Sequence, residues 1–217
     1  VNGDAAGIVA AAAAAVDAKV YYPSTDYVFD GLKNEPYTES DVTNPLNAYG
    51  RGKLAGEFAT AEANPRHAIV RSSWLYGLAG RNFVETMLSL AERQNEVLVV
   101  RDQIGCPTYT RQLADAIVEL FDYEALGVMH IAGGEQCSWY DFAIEIFRQS
   151  QLDVKVLSAT TDMLGRPAPR PPFSALVSER DDVPVLPRWD HGLHAYLSAR
   201  NERAAADRPV IDEMSST

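Results

Sequence analysis

Apolar and polar positions along the chain switch between a helical and a strand period several times. Alanine-rich residues 8–18 predict a helix, and the β-branched and aromatic run over 19–24 predicts a short strand. Pro23 sits badly in that run, because proline donates nothing to a ladder; the strand either ends at Tyr22 or belongs to a locally irregular sheet. Residues 32–47, rich in Pro, Asn, Asp and Glu, predict a loop that crosses back over the sheet, with Asn47 placed to cap the helix that follows. The next strand is predicted over 68–73. Phe83, Met87, Leu90 and Ala91 recur at helical spacing within 82–93, and residues 97–100 predict a buried strand. Leu113, Ala116, Ile117 and Leu120 mark one face of a helix over 110–121, and a strand over 127–132 is closed by Gly133-Gly134. Ser138-Trp139-Tyr140-Asp141 has the form of a capping box and opens a helix running to about Gln149. A late strand over 154–157 and a short helix from Asp190 to about Arg200 complete the series. Strands and helices alternating at these lengths predict an α/β domain with a mainly parallel sheet.

Composition narrows the function classes. The chain has 217 residues and 47% hydrophobic content, enough to bury a real core, and its net charge of -11 argues against nucleic acid and anionic membranes as partners. The longest apolar run, residues 8–16, is mostly alanine and too short to span a bilayer. Cys106 and Cys137 have neither a disulfide framework nor metal-ligand spacing, and they predict small buried thiols in a reducing cytoplasm. His191 and His194 are three residues apart but lack a third ligand, so no metal site is expected. No internal repeat is present.

One constellation carries chemistry. Tyr49 and Lys53 stand at i and i+4, so a helix projects both from one face, and a neighbouring ammonium favours the phenolate and lowers the pKa of a tyrosine from about 10. Ser24-Thr25-Asp26, at the end of the first predicted strand, brings a hydroxyl that can hydrogen-bond the same oxygen. Together these residues can form a proton donor. Gly50-Arg51-Gly52, with Gly56 beyond, imitates a dinucleotide fingerprint, but it follows a turn rather than a strand and lies inside the predicted helix.

The wider motifs give a family resemblance. Ser24-Thr25-Asp26-Tyr27-Val28-Phe29-Asp30-Gly31, Tyr37-Thr38-Glu39, Asn44-Pro45-Leu46-Asn47-Ala48-Tyr49-Gly50 and Lys53-Leu54-Ala55-Gly56-Glu57 follow one another in order. They continue through Arg71-Ser72-Ser73-Trp74-Leu75-Tyr76-Gly77, Asn82-Phe83-Val84, Asp102-Gln103-Ile104-Gly105-Cys106-Pro107-Thr108 and Arg170-Pro171-Pro172-Phe173-Ser174-Ala175-Leu176. The series resembles the extended short-chain dehydrogenase/reductase superfamily, and within it the dTDP-4-dehydrorhamnose reductase family, from residue 1 to about 197. The resemblance implies reduction of dTDP-4-dehydro-L-rhamnose by NADPH or NADH, in rhamnose and cell-surface polysaccharide synthesis. Tyr49 would donate a proton to the C4 oxygen. Lys53 would contact the nicotinamide ribose and lower the Tyr49 pKa, and Thr25 would align the carbonyl. Asp26 would hold a sugar hydroxyl and Trp74 would stack on the sugar. Asn82, Gln103, Pro107 and Thr108 would face the nucleotide side of the substrate, and Arg170 the diphosphate.

Members of that family begin with a strand, a glycine-rich turn and a helix that receives the cofactor pyrophosphate, and residues 1–18 resemble instead the helix before the catalytic strand. The implied fold is therefore a Rossmann-like, mainly parallel sheet, N-terminally truncated, with a smaller C-terminal substrate-binding portion. Residues 1–133 would form the C-terminal half of the NAD(P)-binding domain with interleaved substrate-binding segments, 134–200 the mainly substrate-binding portion, and 201–217 a disordered tail. The proline-rich 166–172 reads as an extended active-site loop. Two other readings stay open. One is an epimerase or dehydratase on another nucleotide sugar, for which Asp26 directly after Thr25 is an ambiguous signal. The other is a non-catalytic subunit resembling the regulatory subunit of methionine adenosyltransferase. A homodimer is left open.

Overall fold

The computed structural model describes residues 2–206 apart from Tyr123 and Arg166. Helix α1 (Asp4–Ala14) leads into β1 (Val20–Thr25), and α2 (Ala48–Ala63) into β2 (His67–Ser72). Then come β3 (Leu75–Tyr76), α3 (Phe83–Ala91), β4 (Glu96–Val100), β5 (Ile104–Gly105), β6 (Thr108–Tyr109) and α4 (Thr110–Glu119). The last part holds β7 (Gly127–His130), β8 (Cys137–Ser138), α5 (Trp139–Gln149), β9 (Lys155–Ala159) and α6 (Trp189–Ala206). Strands β1, β2 and β7 form a parallel sheet in that order, so the alternating pattern of the sequence is realised as expected. A second parallel pair joins β4 to β9, and two short pairs, β3 with β6 and β5 with β8, link the two parts.

Each part has its own core. Ala68, Val70 and Met129 of the three-stranded sheet pack under Ala116 of α4 and Leu120 at its C-cap, the face its periodicity predicts, with Leu113 and Ile117 at the margin. A second core gathers Val84, Met87 and Leu88 of α3 with Phe142, Ile146 and Phe147 of α5 and Leu193, Tyr196 and Leu197 of α6. Between them Val28, Phe29, Tyr37, Cys106, Phe173, Ala175 and Leu176 form a third cluster, which fastens the crossing loop to the returning segment 173–177.

Two local expectations change. Strand β1 neither stops at Tyr22 nor becomes irregular: it runs in register to Thr25, with Pro23 opposite Val70. It is tolerated in this pairing because the N–H groups directed at β2 alternate along β1 from Val20, which donates to the Arg66 carbonyl, so Pro23 falls where its nitrogen faces away from β2. Helix α6 continues past residue 200 to Ala206, so the first six residues of the expected tail are helical; 207–217 lie outside the described residues, as does Arg166 of the proline-rich loop.

Candidate active site

The C-terminal end of β1 and the first turns of α2 converge. Asn47 caps α2 by accepting the Gly50 N–H at 2.8 Å, and its amide donates to the Pro169 carbonyl at 2.9 Å. This fixes the helix that carries Tyr49 and Lys53 against the loop before Arg170. Gly50 is required at the crossing: a Cβ there would stand 2.1 Å from the Tyr27 carbonyl oxygen. Tyr49 is 52% exposed, which leaves its phenol open to a ligand, and its ring meets Tyr27 edge-on at 5.9 Å. Thr25 and Asp26, behind it, are buried. Thr25 Oγ1 donates to Asp26 Oδ1 at 3.0 Å and accepts the Tyr27 N–H at 3.2 Å.

The electrostatics depart from the sequence expectation. Lys53 does not lie beside the phenol. Its Nζ donates to the Pro23 carbonyl at 2.5 Å and rests over the Tyr22 ring at 4.1 Å, because the long side chain reaches back across the strand edge. The Tyr49 pKa is consequently raised, not lowered: burial is the largest cause, the nearby Asp26 charge adds to it, and a hydrogen bond with Thr25 opposes both. Burial lowers the Lys53 pKa, with Glu57 opposing, and pushes Tyr22 up to about 12. Burial also pushes Asp26 up to about 6, against the hydrogen bonds from Ser174 and Thr25.

Other residues expected at the site have structural partners. Asp26 is 2% exposed, with both oxygens occupied by the Thr25 and Ser174 hydroxyls, so in this state it offers nothing to a sugar. Trp74 stacks on Trp139 at 3.6 Å and 5°, and the ring also lies where a Cβ on Gly105 would be, so the indole is engaged in packing. It holds a positive φ of 48°. Asn82 caps α3 through Glu85 N–H and donates to the Gly77 carbonyl. Buried Gln103 donates to Thr161 Oγ1. Thr108 is wholly buried between the Cys106 carbonyl and the Gly133 N–H, and Pro107 is buried beside it with its carbonyl against Gly133. Arg170 is half-buried on the loop that follows Pro169.

Several residues went unassigned in the sequence. Ser174 is one. Glu57 and Arg71 are others: they form a buried two-pronged ion pair at 3.0 and 2.7 Å, and Ser24 donates to the same carboxylate. Arg71 Nη1 stands 3.5 Å from His130 Nε2, while His130 Nδ1 faces the Tyr37 and Val177 carbonyls at 3.0 and 3.1 Å. The proton therefore sits on Nδ1 and the ring is neutral, in keeping with a pKa lowered chiefly by burial. Glu57 and Arg71 both belong to motifs noted above, but their pairing spans two elements. A cavity of about 550 Å³, lined by His130, Glu135, Leu176, Arg180 and Val185 among others, contains none of Thr25, Asp26, Tyr49 and Lys53. The Tyr49 cluster, by contrast, has a titratable group that is both exposed and backed by buried partners.

The NAD(P)-binding reading has a physical counterpart in this cluster. A lysine ammonium has three N–H donors. Lys53 uses one on Pro23, and its remaining donors, on the helix that carries the exposed phenol, suit ribose hydroxyls at the nicotinamide end of such a cofactor.

Comparison with known proteins agrees with these features. A family profile described as the RmlD substrate binding domain matches residues 1–201. The spore coat polysaccharide biosynthesis protein SpsK of Bacillus subtilis is 41% identical over 93% of this chain and 71% of its own length. The dTDP-4-dehydrorhamnose reductase of Sinorhizobium fredii is 39% identical over 88% of the chain and 69% of its own. A crystal structure of dTDP-4-dehydrorhamnose reductase from Bacillus anthracis in complex with NADP superposes with a TM-score of 0.89 at 39% identity, covering 92% of this chain and 72% of that one.

Proposed function

The chain belongs to the RmlD substrate binding domain family, and from that membership we propose that it reduces dTDP-4-dehydro-L-rhamnose to dTDP-L-rhamnose with a reduced nicotinamide cofactor. The observation that carries the reading is the half-exposed Tyr49 phenol on the capped start of α2, backed by buried Thr25, with Lys53 one turn further along the helix. The cofactor, when bound, supplies hydride to the carbonyl carbon. Tyr49 gives its proton to the C4 oxygen as charge develops there, completing the alcohol. The raised pKa serves this direction, since a reductase needs the tyrosine protonated at the start of the cycle. Lys53 would hold the cofactor's ribose hydroxyls through its remaining N–H donors, and its positive charge, one helical turn from Tyr49, would favour the phenolate left after proton transfer. Arg170 pairs with the substrate diphosphate. Trp74, Asn82, Gln103, Pro107 and Thr108 shape the walls of the substrate side, acting through packing and capping rather than through free polar groups.

The cytoplasm suits this reading, with two buried free thiols; among the described residues no helix is long and apolar enough to cross a membrane. The test is product analysis. The enzyme is incubated with NADPH and, separately, dTDP-4-dehydro-L-rhamnose, a dTDP-hexose and a UDP-hexose, and products are identified by NMR. Conversion of the first to dTDP-L-rhamnose is expected. Dehydration or epimerisation of a hexose without net cofactor consumption would favour the epimerase or dehydratase class, and no turnover of any would favour a binding subunit.

A further inference from the structure

One aromatic ring lies beneath the helix that carries Tyr49 and Lys53, and it meets the lysine at both its carbonyl and its ammonium. Side chains of a strand alternate between its faces, so Tyr22 and Ser24 share the face of β1 that packs against α2, where Ser24 meets Glu57 and Tyr22 meets Lys53. The Tyr22 hydroxyl proton is shared between the Asn2 carbonyl at 2.9 Å and the Lys53 carbonyl at 3.3 Å. Its ring takes the Lys53 Nζ at 4.1 Å from the centroid. The same Nζ donates to the Pro23 carbonyl at 2.5 Å, on the edge of β1 that faces away from β2. Tyr22 is buried, and burial pushes its pKa up to about 12, so the hydroxyl keeps the proton it donates. Room for the ring comes from Gly56, where a Cβ would stand 2.1 Å from the Tyr22 hydroxyl oxygen and 2.6 Å from its Cζ. The last glycine of the apparent dinucleotide fingerprint is thus the point at which Tyr22 passes under α2.

A lysine side chain is long and flexible, and it loses that freedom when a ligand fixes its ammonium. Here much of the freedom is gone before any ligand arrives. The ring face attracts the cation through its quadrupole, and the carbonyl takes one N–H and sets the direction of the others. Building on the reductase reading, in which Lys53 holds the cofactor ribose, we propose that Tyr22 is a positioning residue for cofactor binding: its ring, with the Pro23 carbonyl, seats the Lys53 ammonium so that the remaining N–H groups meet the ribose hydroxyls without the side chain having to be ordered first. The ring and the hydroxyl have separate tasks. The hydroxyl ties Asn2 to the backbone of α2, whereas the ring alone touches the ammonium, so removing the two in turn separates them. Tyr22 acts through Lys53 only, and its effect falls on cofactor affinity rather than on the nucleotide sugar.

The test compares dissociation constants for NADPH, by calorimetric titration, in the intact enzyme and its Tyr22→Phe and Tyr22→Leu variants. The Phe variant keeps the ring and is expected within about twofold of the wild type. The Leu variant is expected to bind NADPH about three- to tenfold more weakly, the equivalent of ordering one long side chain on binding, while KM for dTDP-4-dehydro-L-rhamnose holds. Proton NMR reads the seat itself. The Lys53 Hε resonances are expected upfield, from the ring current, in the wild type and the Phe variant, to stay there when NADPH is bound, and to return to their ordinary position in the Leu variant. Unchanged NADPH affinity in the Leu variant, an equal loss in the Phe and Leu variants, or an upfield shift that disappears when NADPH binds overturns the proposal. Should the Leu variant fail to fold, pentafluorophenylalanine at position 22 keeps the ring and reverses its quadrupole. It is expected to weaken NADPH binding as Leu would, and unchanged affinity overturns the proposal. If the wild type neither binds NADPH nor reduces a nucleotide-sugar ketone, the reductase reading fails on its own, and the Lys53 shift in the free enzyme decides the Tyr22 seat separately.

Discussion

Burial pushes the Asp26 carboxyl from 3.8 to about 6, and the two hydroxyls on it only partly offset that cost. The folded state therefore binds this proton more tightly than the unfolded state, so the group costs stability as pH rises from about 4 through 6, and the full cost is present above that window. Asp26→Asn removes the charge while keeping size, and its NH2 can donate to one of the two hydroxyls, which turns to accept it. It should be more stable than the wild type at pH 8, by roughly 2–3 kcal/mol, and should lose that advantage at pH 4. Thermal melts at the two pH values check this; equal melting differences at both would mean that the buried charge is not what the substitution relieves.

At the scale of elements, α2 is pressed onto the turn after β1 at Gly50. A Cβ there meets the Tyr27 carbonyl at 2.1 Å and Pro45 Cβ at 2.9 Å, and backbone cannot rotate away as a side chain can. Gly50→Ala should destabilise by about 1–3 kcal/mol and, by shifting the first turn of α2, lower kcat at least tenfold in the protein that remains folded. Circular dichroism and steady-state assays on the same sample check it, and a variant with normal kcat would mean that the helix start tolerates displacement. The elements themselves were largely legible. The Asn47 and Ser138 caps, the apolar face of α4 and the helix carrying Tyr49 all follow from local pattern and form as read. Non-local partners were not legible. An i, i+4 spacing puts Tyr49 and Lys53 on one helix face, but the lysine stem is long enough to choose the Pro23 carbonyl, and Pro23 is brought there by tertiary packing. Trp74 looked free to stack on a ligand because neither its left-handed backbone nor the facing Trp139 can be read from its own stretch. Ser174 stood inside a noted motif, yet its partner lies 148 residues away.

Across the whole molecule, the Glu57–Arg71 pair ties α2 to β2, and His130 ties that pair to β7 and to the carbonyls of the loop and the returning segment. The network lies directly beneath the reactive cluster: Ser24, one residue before Thr25, donates to Glu57. Helix, sheet and loop thus hold the phenol against its buried partners as one unit, and under the proposed function such pre-organisation would let Tyr49 give its proton with little rearrangement. The most direct measurement of this account is the turnover of dTDP-4-dehydro-L-rhamnose with NADPH by the intact enzyme and its Tyr49→Phe variant, which deletes one oxygen. The account predicts dTDP-L-rhamnose as the wild-type product and a fall in kcat of about 100-fold to 10,000-fold in the variant, with the melting temperature nearly unchanged. Wild-type turnover retained by the phenylalanine variant would contradict it.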